Sequence, residues 1–151
     1  MNQEIKIAVD FMGGDDNASF VLSGLNIAIE RHPNVRFNLY GDRKLIEKKL
    51  LKYNSLSSMC NIIDCETFIK MDEKPSSAIK RGKETSSMWK SIDSIKTGFS
   101  DFAISAGNTG ALMAMATLIL RTVHGIQRPA IAALWPTING ETIVLDIGAT
   151  I

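Results

Sequence analysis

The sequence contains few of the residues and segments from which disulfide frameworks, metal clusters and membrane spans are built. Its two cysteines, Cys60 and Cys65, have a C-x4-C spacing with no histidine nearby, which fits neither a common zinc pattern nor a disulfide framework. We interpret both as reduced thiols in the core of a cytosolic protein, because free cysteine is usually buried. The longest apolar run, Ala111 to Leu120, has half the roughly 20 residues that a membrane-spanning helix needs, and the N-terminus lacks the apolar region of a signal peptide.

An excess of charge of one sign is also missing. The formal net charge is +1, so the composition gives no global bias toward nucleic acid or a membrane surface. The hydrophobic content of 45% is ordinary for a globular core, and 151 residues correspond to about one domain.

The common catalytic and nucleotide-binding motifs are absent as well. No G-x-G-x-x-G follows the first predicted strand, and there is no phosphate-binding G-x-x-x-x-G-K-[ST] motif and no G-x-S-x-G nucleophile elbow. The two histidines form no Ser/His/Asp or Cys/His set, so covalent catalysis by serine or cysteine is not indicated. We therefore expect neither a cofactor nor a metal ion.

The hydrophobic pattern that is present alternates between strands and helices. Strands are predicted at 5–10, 35–40, within 58–65 and at 101–105. Between them we predict a first helix that begins at Ala18, is capped by Asp16 or Asn17 and is stopped by Pro33. A second helix, which is basic, is marked by Ile46, Leu50 and Tyr53. A third begins at Pro75 and ends at Gly98. This order favours an α/β fold with a largely parallel sheet covered on both faces.

Three features complete this prediction. The helix after Ser105 is apolar nearly all round, so we expect it to be buried. Two further strands, within 128–138 and 141–147, flank Asn139-Gly140, which predicts an antiparallel hairpin with a type I′ turn. The last residues, LDIGATI, read as a strand that enters a glycine turn without the covering helix, so we expect a fragment or the first half of a larger subunit.

The glycine-rich turns are the candidate site. VDFMGGD, LYGD and ISAGNTG each follow a predicted strand, and LDIGA resembles a fourth. Ligands of open α/β sheets bind beyond the carboxyl ends of the strands, and the N-terminus of a helix there suits an anion. Asn108, Thr109 and Gly110 are predicted to donate hydrogen bonds to it. The alternative is an ordinary N-cap in a tight turn, and Asp10 and Asp15 either order the first glycine loop or cap its helix.

The motifs also occur together in a known family. VDFMGGDD, KPSSAIKRGKETSSM, SAGNTGALM, GIQRPAIA and VLDIGA resemble, in order and spacing, the N-terminal half of the bacterial phosphate acyltransferases of fatty acid and phospholipid synthesis. The resemblance implies a three-layer α/β/α fold, Rossmann-like and similar to isocitrate and isopropylmalate dehydrogenases. It implies that residues 1–151 are the N-terminal part of a single acyltransferase domain whose C-terminal half is absent from this chain.

The resemblance also implies a reaction. The family transfers a fatty acyl group from acyl carrier protein to inorganic phosphate, which gives acyl phosphate for phospholipid synthesis. It implies a cytoplasmic homodimer that is soluble or loosely associated with the inner face of the membrane, without nucleic acid. For this chemistry we assign catalytic roles to Asn108, Asp10 and Lys80. Substrate or phosphate binding is assigned to Gly13, Gly14, Asp15, Arg81, Ser86, Ser87, Ser105, Gly107, Thr109 and Gly110.

One position departs from the family pattern, because Thr150 stands where the family usually has asparagine after D-x-G-A. Two other functions remain open at this point. One is a non-catalytic module that binds phosphate or acyl carrier protein on the same sheet. The other is a nicotinamide-dependent decarboxylating dehydrogenase of similar fold, against which the missing nucleotide motif argues.

Overall fold

The computed structural model describes residues 4–14 and 18–147 and shows a parallel sheet with helices on both faces. In chain order the elements are β1 (Ile5–Asp10), α1 (Ala18–Arg31), β2 (Val35–Gly41), α2 (Arg43–Leu50), α3 (Asn54–Ser57), β3 (Cys60–Asp64), α4 (Pro75–Gly82), α5 (Ser87–Lys96), β4 (Phe102–Ser105), α6 (Thr109–Leu120), β5 (Ala132–Thr137) and β6 (Gly140–Leu145).

The main sheet has the order β3-β2-β1-β4, and each neighbouring pair is parallel. Strands β5 and β6 form a separate antiparallel hairpin. The predicted α/β fold with a largely parallel sheet and a hairpin near the C-terminal end is therefore confirmed.

Helices cover both faces of this sheet and bury apolar side chains there. On one face Val9, Phe37 and Leu39 pack against Leu22 of α1 and Ile46 of α2. On the other face α5 contacts β1, β2 and β4, and its outer side packs against α6.

Helix α5 approaches the sheet closely because it presents small side chains to it. Ser87, Ser91 and Ser94 are buried at helical spacing. The Ser91 hydroxyl donates to the carbonyl of Met88 at 2.8 Å, and the Ser94 hydroxyl donates to that of Ser91 at 2.6 Å. These two hydroxyls are thereby satisfied within their own helix and do not oppose burial.

The third predicted helix, from Pro75 to Gly98, is wrong as a single element. The chain leaves α4 after Gly82, and Glu84 has a φ of 64°. Ser86 then caps α5, because its hydroxyl accepts from the N–H of Trp89 at 3.2 Å. Serine is a common capping residue, but Met88 and Ile92 continue the hydrophobic period of α4, so the sequence pattern predicted one helix instead of two.

Three further expectations need correction. Helix α2 ends at Leu50, so Tyr53 lies outside it and precedes the short helix α3. Helix α6 buries only one side, and Leu118 is 56% exposed. The hairpin turn is Ile138-Asn139, one residue earlier than predicted, because Thr137 pairs with Gly140. Neither central residue has a positive φ, which a type I′ turn requires at both, so the predicted turn type is also wrong.

The described residues contain no helix with the length and apolarity of a membrane span. The predicted caps Asp16 and Asn17, and also Asp15 and Thr150, lie outside the described residues.

Candidate functional site

Three of the four predicted glycine turns meet at the carboxyl edge of the main sheet. The register pairs Asp10, at the end of β1, with Ser105 at the end of β4 and with Tyr40 of β2. A Cβ on Gly107 would lie 3.3 Å from the Cα of Gly13, and one on Gly41 would lie 2.9 Å from Met12. The fourth turn follows β6, which belongs to the hairpin and not to this sheet.

Asp10 and Ser105 link the first and third turns. Asp10 is 2% exposed, and the Ser105 hydroxyl donates to its Oδ2 at 2.7 Å. The same hydroxyl oxygen accepts from the N–H of Gly107 at 3.0 Å. Burial raises the pKa of Asp10, and the nearby Ser87 and Ser105 hydroxyls and the backbone of Met12 and Gly13 oppose that rise only in part.

Gly13 lies where a side chain would not fit. A Cβ there would stand 2.7 Å from Asp10 Oδ2 and 2.9 Å from both Ser105 Oγ and the nitrogen of Gly107. The two turns therefore touch through backbone atoms, which is a physical reason for glycine at this position.

Asn108 connects α6 to the loop that precedes α4. Its Oδ1 accepts from the N–H of Ala111 at 2.9 Å and so caps α6. Its amide nitrogen donates to the carbonyls of Met71 and Glu73, both at 2.8 Å. Both amide protons are engaged in this way, so the side chain acts structurally here. Its assigned catalytic role stays a prediction.

The N-terminus of α6 offers donors next to this cap. Thr109 and Gly110 occupy its first turn, where backbone N–H groups have no partner within the helix. Thr109 is exposed, and Gly110 packs so closely on Pro75 that a Cβ would lie 2.9 Å from that ring. Donation from these two residues to an anion stays a prediction.

Ser86 and Ser87 are both fully buried at the start of α5. Ser86 caps the helix, so its hydroxyl oxygen is already engaged. Ser87 Oγ and Asp10 Oδ1 are the two buried side-chain polar atoms without a hydrogen-bond partner among the described residues. Ser87 is close enough to lower the pKa of Asp10 but forms no hydrogen bond of ordinary geometry with it. We therefore group Ser87 with Asp10 and Ser105 and call these three residues the Asp10 cluster.

The two predicted phosphate cations have different surroundings. Arg81 is paired with Glu73 through Nε at 3.0 Å and Nη2 at 2.6 Å, and it also donates to the carbonyl of Phe68 at 2.7 Å. This pairing lowers the pKa of Glu73 and raises that of Arg81. The Lys80 side chain is exposed and forms no hydrogen bond or ion pair with another described residue. No side-chain hydrogen bond or ion pair among the described residues joins either cation to Asp10, Ser87 or Ser105.

The loop that Asn108 and Arg81 hold is the part of the site that sequence reasoning missed. This loop and the first turn line a cavity of about 270 Å³. The lining residues are Met12 and Gly14 of the turn and, from the loop, Phe68, Ile69, Lys70, Met71 and Asp72. Gly14 has a φ of 102° and lies close to the carbonyl of Ala106. The partners of Asn108 are 35 to 38 positions away in sequence, and no local motif encodes such a contact.

The thiols and acidic groups suggest no further chemistry. Cys60 and Cys65 are free, as predicted, and burial raises their pKa values to about 12 and about 11. Among the described residues no three His, Cys, Asp or Glu side chains are grouped as a metal site would require.

Comparison with known proteins gives the family. The model of the family described as "Fatty acid synthesis protein" matches residues 5–151. The chain is 52% identical over all of its 151 residues to the phosphate acyltransferase of Nitrobacter hamburgensis, of which it covers 43%. It is 50% identical to that of Rhodopseudomonas palustris, with 43% covered, and 52% identical to that of Azorhizobium caulinodans, with 42% covered. The chain thus spans under half the length of these relatives, and it belongs to the fatty acid synthesis protein family.

Proposed function

We propose that this chain is the N-terminal part of a phosphate acyltransferase domain, which moves a long-chain fatty acyl group from acyl carrier protein to inorganic phosphate. The observation that carries the proposal is the meeting of two glycine turns and a helix N-terminus over the buried Asp10–Ser105 pair. The family and the name of its relatives support the reaction class.

The chemistry needs no nucleophilic side chain. A phosphate oxygen attacks the thioester carbonyl carbon, the C–O bond of the acyl phosphate forms and the C–S bond breaks. The proton of hydrogen phosphate ends on the thiol of the carrier. The enzyme has to bind an anion, donate to the developing oxyanion and align the reactants, and one well-placed donor contributes about 3–4 kcal/mol to such a step.

We assign the donors to backbone groups first. The N–H groups of Thr109 and Gly110 are the strongest candidates, because the dipole of α6 favours negative charge at this end. We assign phosphate binding also to Gly13, Gly14 and Asp15 of the glycine-rich sequence after β1. Lys80 is the assigned cation whose side chain has no hydrogen-bond or ion-pair partner among the described residues. A homodimer and loose membrane association are parts of the proposal for the complete protein.

The decisive assay mixes long-chain acyl carrier protein with phosphate and traps acyl phosphate with hydroxylamine. It is performed on these 151 residues and on a chain extended to the length of the relatives. Product from the extended chain alone means that further residues complete the site. Product from both means that these residues suffice, and no product from a folded extended chain favours a non-catalytic binding module.

A further inference from the structure

A continuous chain of three groups crosses from the first turn to the third. It consists of the Asp10 carboxyl, the Ser105 hydroxyl and the Gly107 N–H, with the distances of 2.7 and 3.0 Å given above. Asp10 and Ser105 end neighbouring parallel strands, so the chain bridges the sheet at the point where both turns begin.

The direction of these hydrogen bonds is fixed by chemistry. The Gly107 N–H can only donate, so the Ser105 oxygen must accept from it. An ionised carboxylate can only accept, so the single hydroxyl proton of Ser105 points at Oδ2 of the ionised Asp10, which orients the oxygen toward Gly107. Without Asp10 this hydroxyl would be free to rotate.

We propose that Asp10 is a positioning residue for phosphate binding: by holding the Ser105 hydroxyl it fixes the Gly107 N–H, and with it the turn that leads into α6. The proposal rests on the proposed function, since it assigns the anion to the N-terminus of α6. Because Gly107 donates inward to Ser105, the backbone donors that we assign to the anion are those of later residues, Thr109 and Gly110.

The close contact of the two turns transmits this arrangement. Gly13 lies against Asp10, Ser105 and Gly107 at once, so a displacement of the third turn would also displace the first. The unpartnered Ser87 hydroxyl also lies near the carboxyl. An asparagine in place of Asp10 would keep an oxygen for the Ser105 hydroxyl without a negative charge.

The test compares Asp10→Asn, Asp10→Ala, Ser105→Ala and the double alanine variant in the form of the protein that shows turnover. We expect each single alanine variant to raise the KM for phosphate about tenfold, the loss expected for one buried hydrogen bond to a charged group. The double variant should be no worse than either single variant, because both remove the same link. Asp10→Asn keeps an oxygen for the Ser105 hydroxyl, so it should recover most of the loss measured for Asp10→Ala. The proposal would be overturned if Asp10→Asn kept its fold and raised the KM as much as Asp10→Ala does. It would also be overturned if the effects of the two alanine substitutions on the KM were additive in the double variant.

The matched control is Ser91→Ala, which removes a hydroxyl that is 1% exposed and is bonded only within α5. We expect it to leave the KM unchanged. A second measurement needs no turnover: in the 151-residue chain the amide NMR signal of Gly107 should shift in Ser105→Ala and stay in place in Asp10→Asn. An unmoved signal in Ser105→Ala overturns the proposal, whereas absent turnover in the unaltered protein counts only against the proposed function.

Discussion

Single residues at the edge of the sheet set how closely its turns approach each other. A Cβ on Gly13 would lie within 3 Å of Asp10, Ser105 and Gly107. Asp10 is a carboxyl held almost out of contact with water, and its Oδ1 has no hydrogen-bond partner among the described residues. Both features have measurable consequences.

Gly13→Ala should destabilise the protein and reduce turnover. The new Cβ would lie 2.7 Å from Asp10 Oδ2, which forces the turns apart, and overpacking of this kind costs about 1–3 kcal/mol. Urea unfolding measures the loss. The matched control is Gly24→Ala in α1, where a Cβ meets nothing within 4 Å. This control should increase the free energy of unfolding by about 0.5–1 kcal/mol. A Gly13→Ala protein with unchanged free energy of unfolding and unchanged turnover would contradict the close contact.

Asp10→Asn should change how stability depends on pH. Burial raises the pKa of Asp10 above its ordinary value of 3.8, so the folded state binds the proton more tightly than the unfolded state. The contribution of this group to stability is therefore present below the ordinary value and is lost as the pH rises through the folded-state pKa. The asparagine variant lacks this dependence.

The stability of Asp10→Asn relative to the unaltered protein should thus increase with pH and then become constant. Urea unfolding of both proteins between about pH 3 and about pH 7 tests this. A difference that does not vary with pH, or one that decreases as the pH rises, would show that the pKa of Asp10 is not raised in the folded state.

At the scale of elements, one side chain joins α6 to the loop before α4. Asn108 caps the helix and holds the carbonyls of Met71 and Glu73, while Arg81 holds the same loop from α4. This loop forms a wall of the cavity beside Gly14, so its position depends on two elements that are distant in sequence.

Asn108→Ala should cost about 2–3 kcal/mol of stability, the sum of a lost cap and lost buried hydrogen bonds, and should lower turnover. Asn108→Ser retains a capping oxygen but cannot reach the loop, so its loss of stability should be smaller. Urea unfolding and hydrogen exchange of residues 70–73 measure the two effects. Unchanged turnover of the alanine variant in the complete protein would remove Asn108 from the site.

At the scale of the whole molecule, apolar surface remains uncovered on the β4 edge of the sheet. Phe102 is 59% exposed and Ile104 is 51% exposed, and both lie on a strand that pairs on one side only within the described residues. The hairpin is also largely exposed, including Leu134 at 66%. Exposed apolar edge strands favour association.

We therefore expect the 151-residue chain to self-associate with increasing concentration. The double variant Phe102→Thr and Ile104→Thr should weaken this association, because threonine retains strand propensity and removes most of the apolar surface. Leu51→Thr is the matched control, since Leu51 is 79% exposed but lies after α2. Sedimentation velocity at several concentrations distinguishes the variants. Equal association of all three proteins would exclude the β4 edge as the cause.

The sequence by itself determined the alternation of strands and helices along the main sheet, and the family. Local hydrophobic period and turn residues depend on neighbours along the chain, so the four parallel strands and helices α1 and α6 were predictable. The parallel order also implied that Asp10, Gly13, Ser105 and Gly107 would lie at one edge. The broken helix at Gly82–Ser86 escaped because periodicity alone cannot distinguish one helix from two that continue the same pattern.

Only the tertiary structure decided what each polar side chain of the site contacts. Asparagine and arginine are common in anion sites, yet the side-chain N–H groups of Asn108 and Arg81 donate to the loop before α4, up to 38 positions away. Ser105 is directed at Asp10 across 95 positions. A donor binds whichever acceptor folding brings within about 3 Å, and that choice depends on packing between elements and not on local sequence.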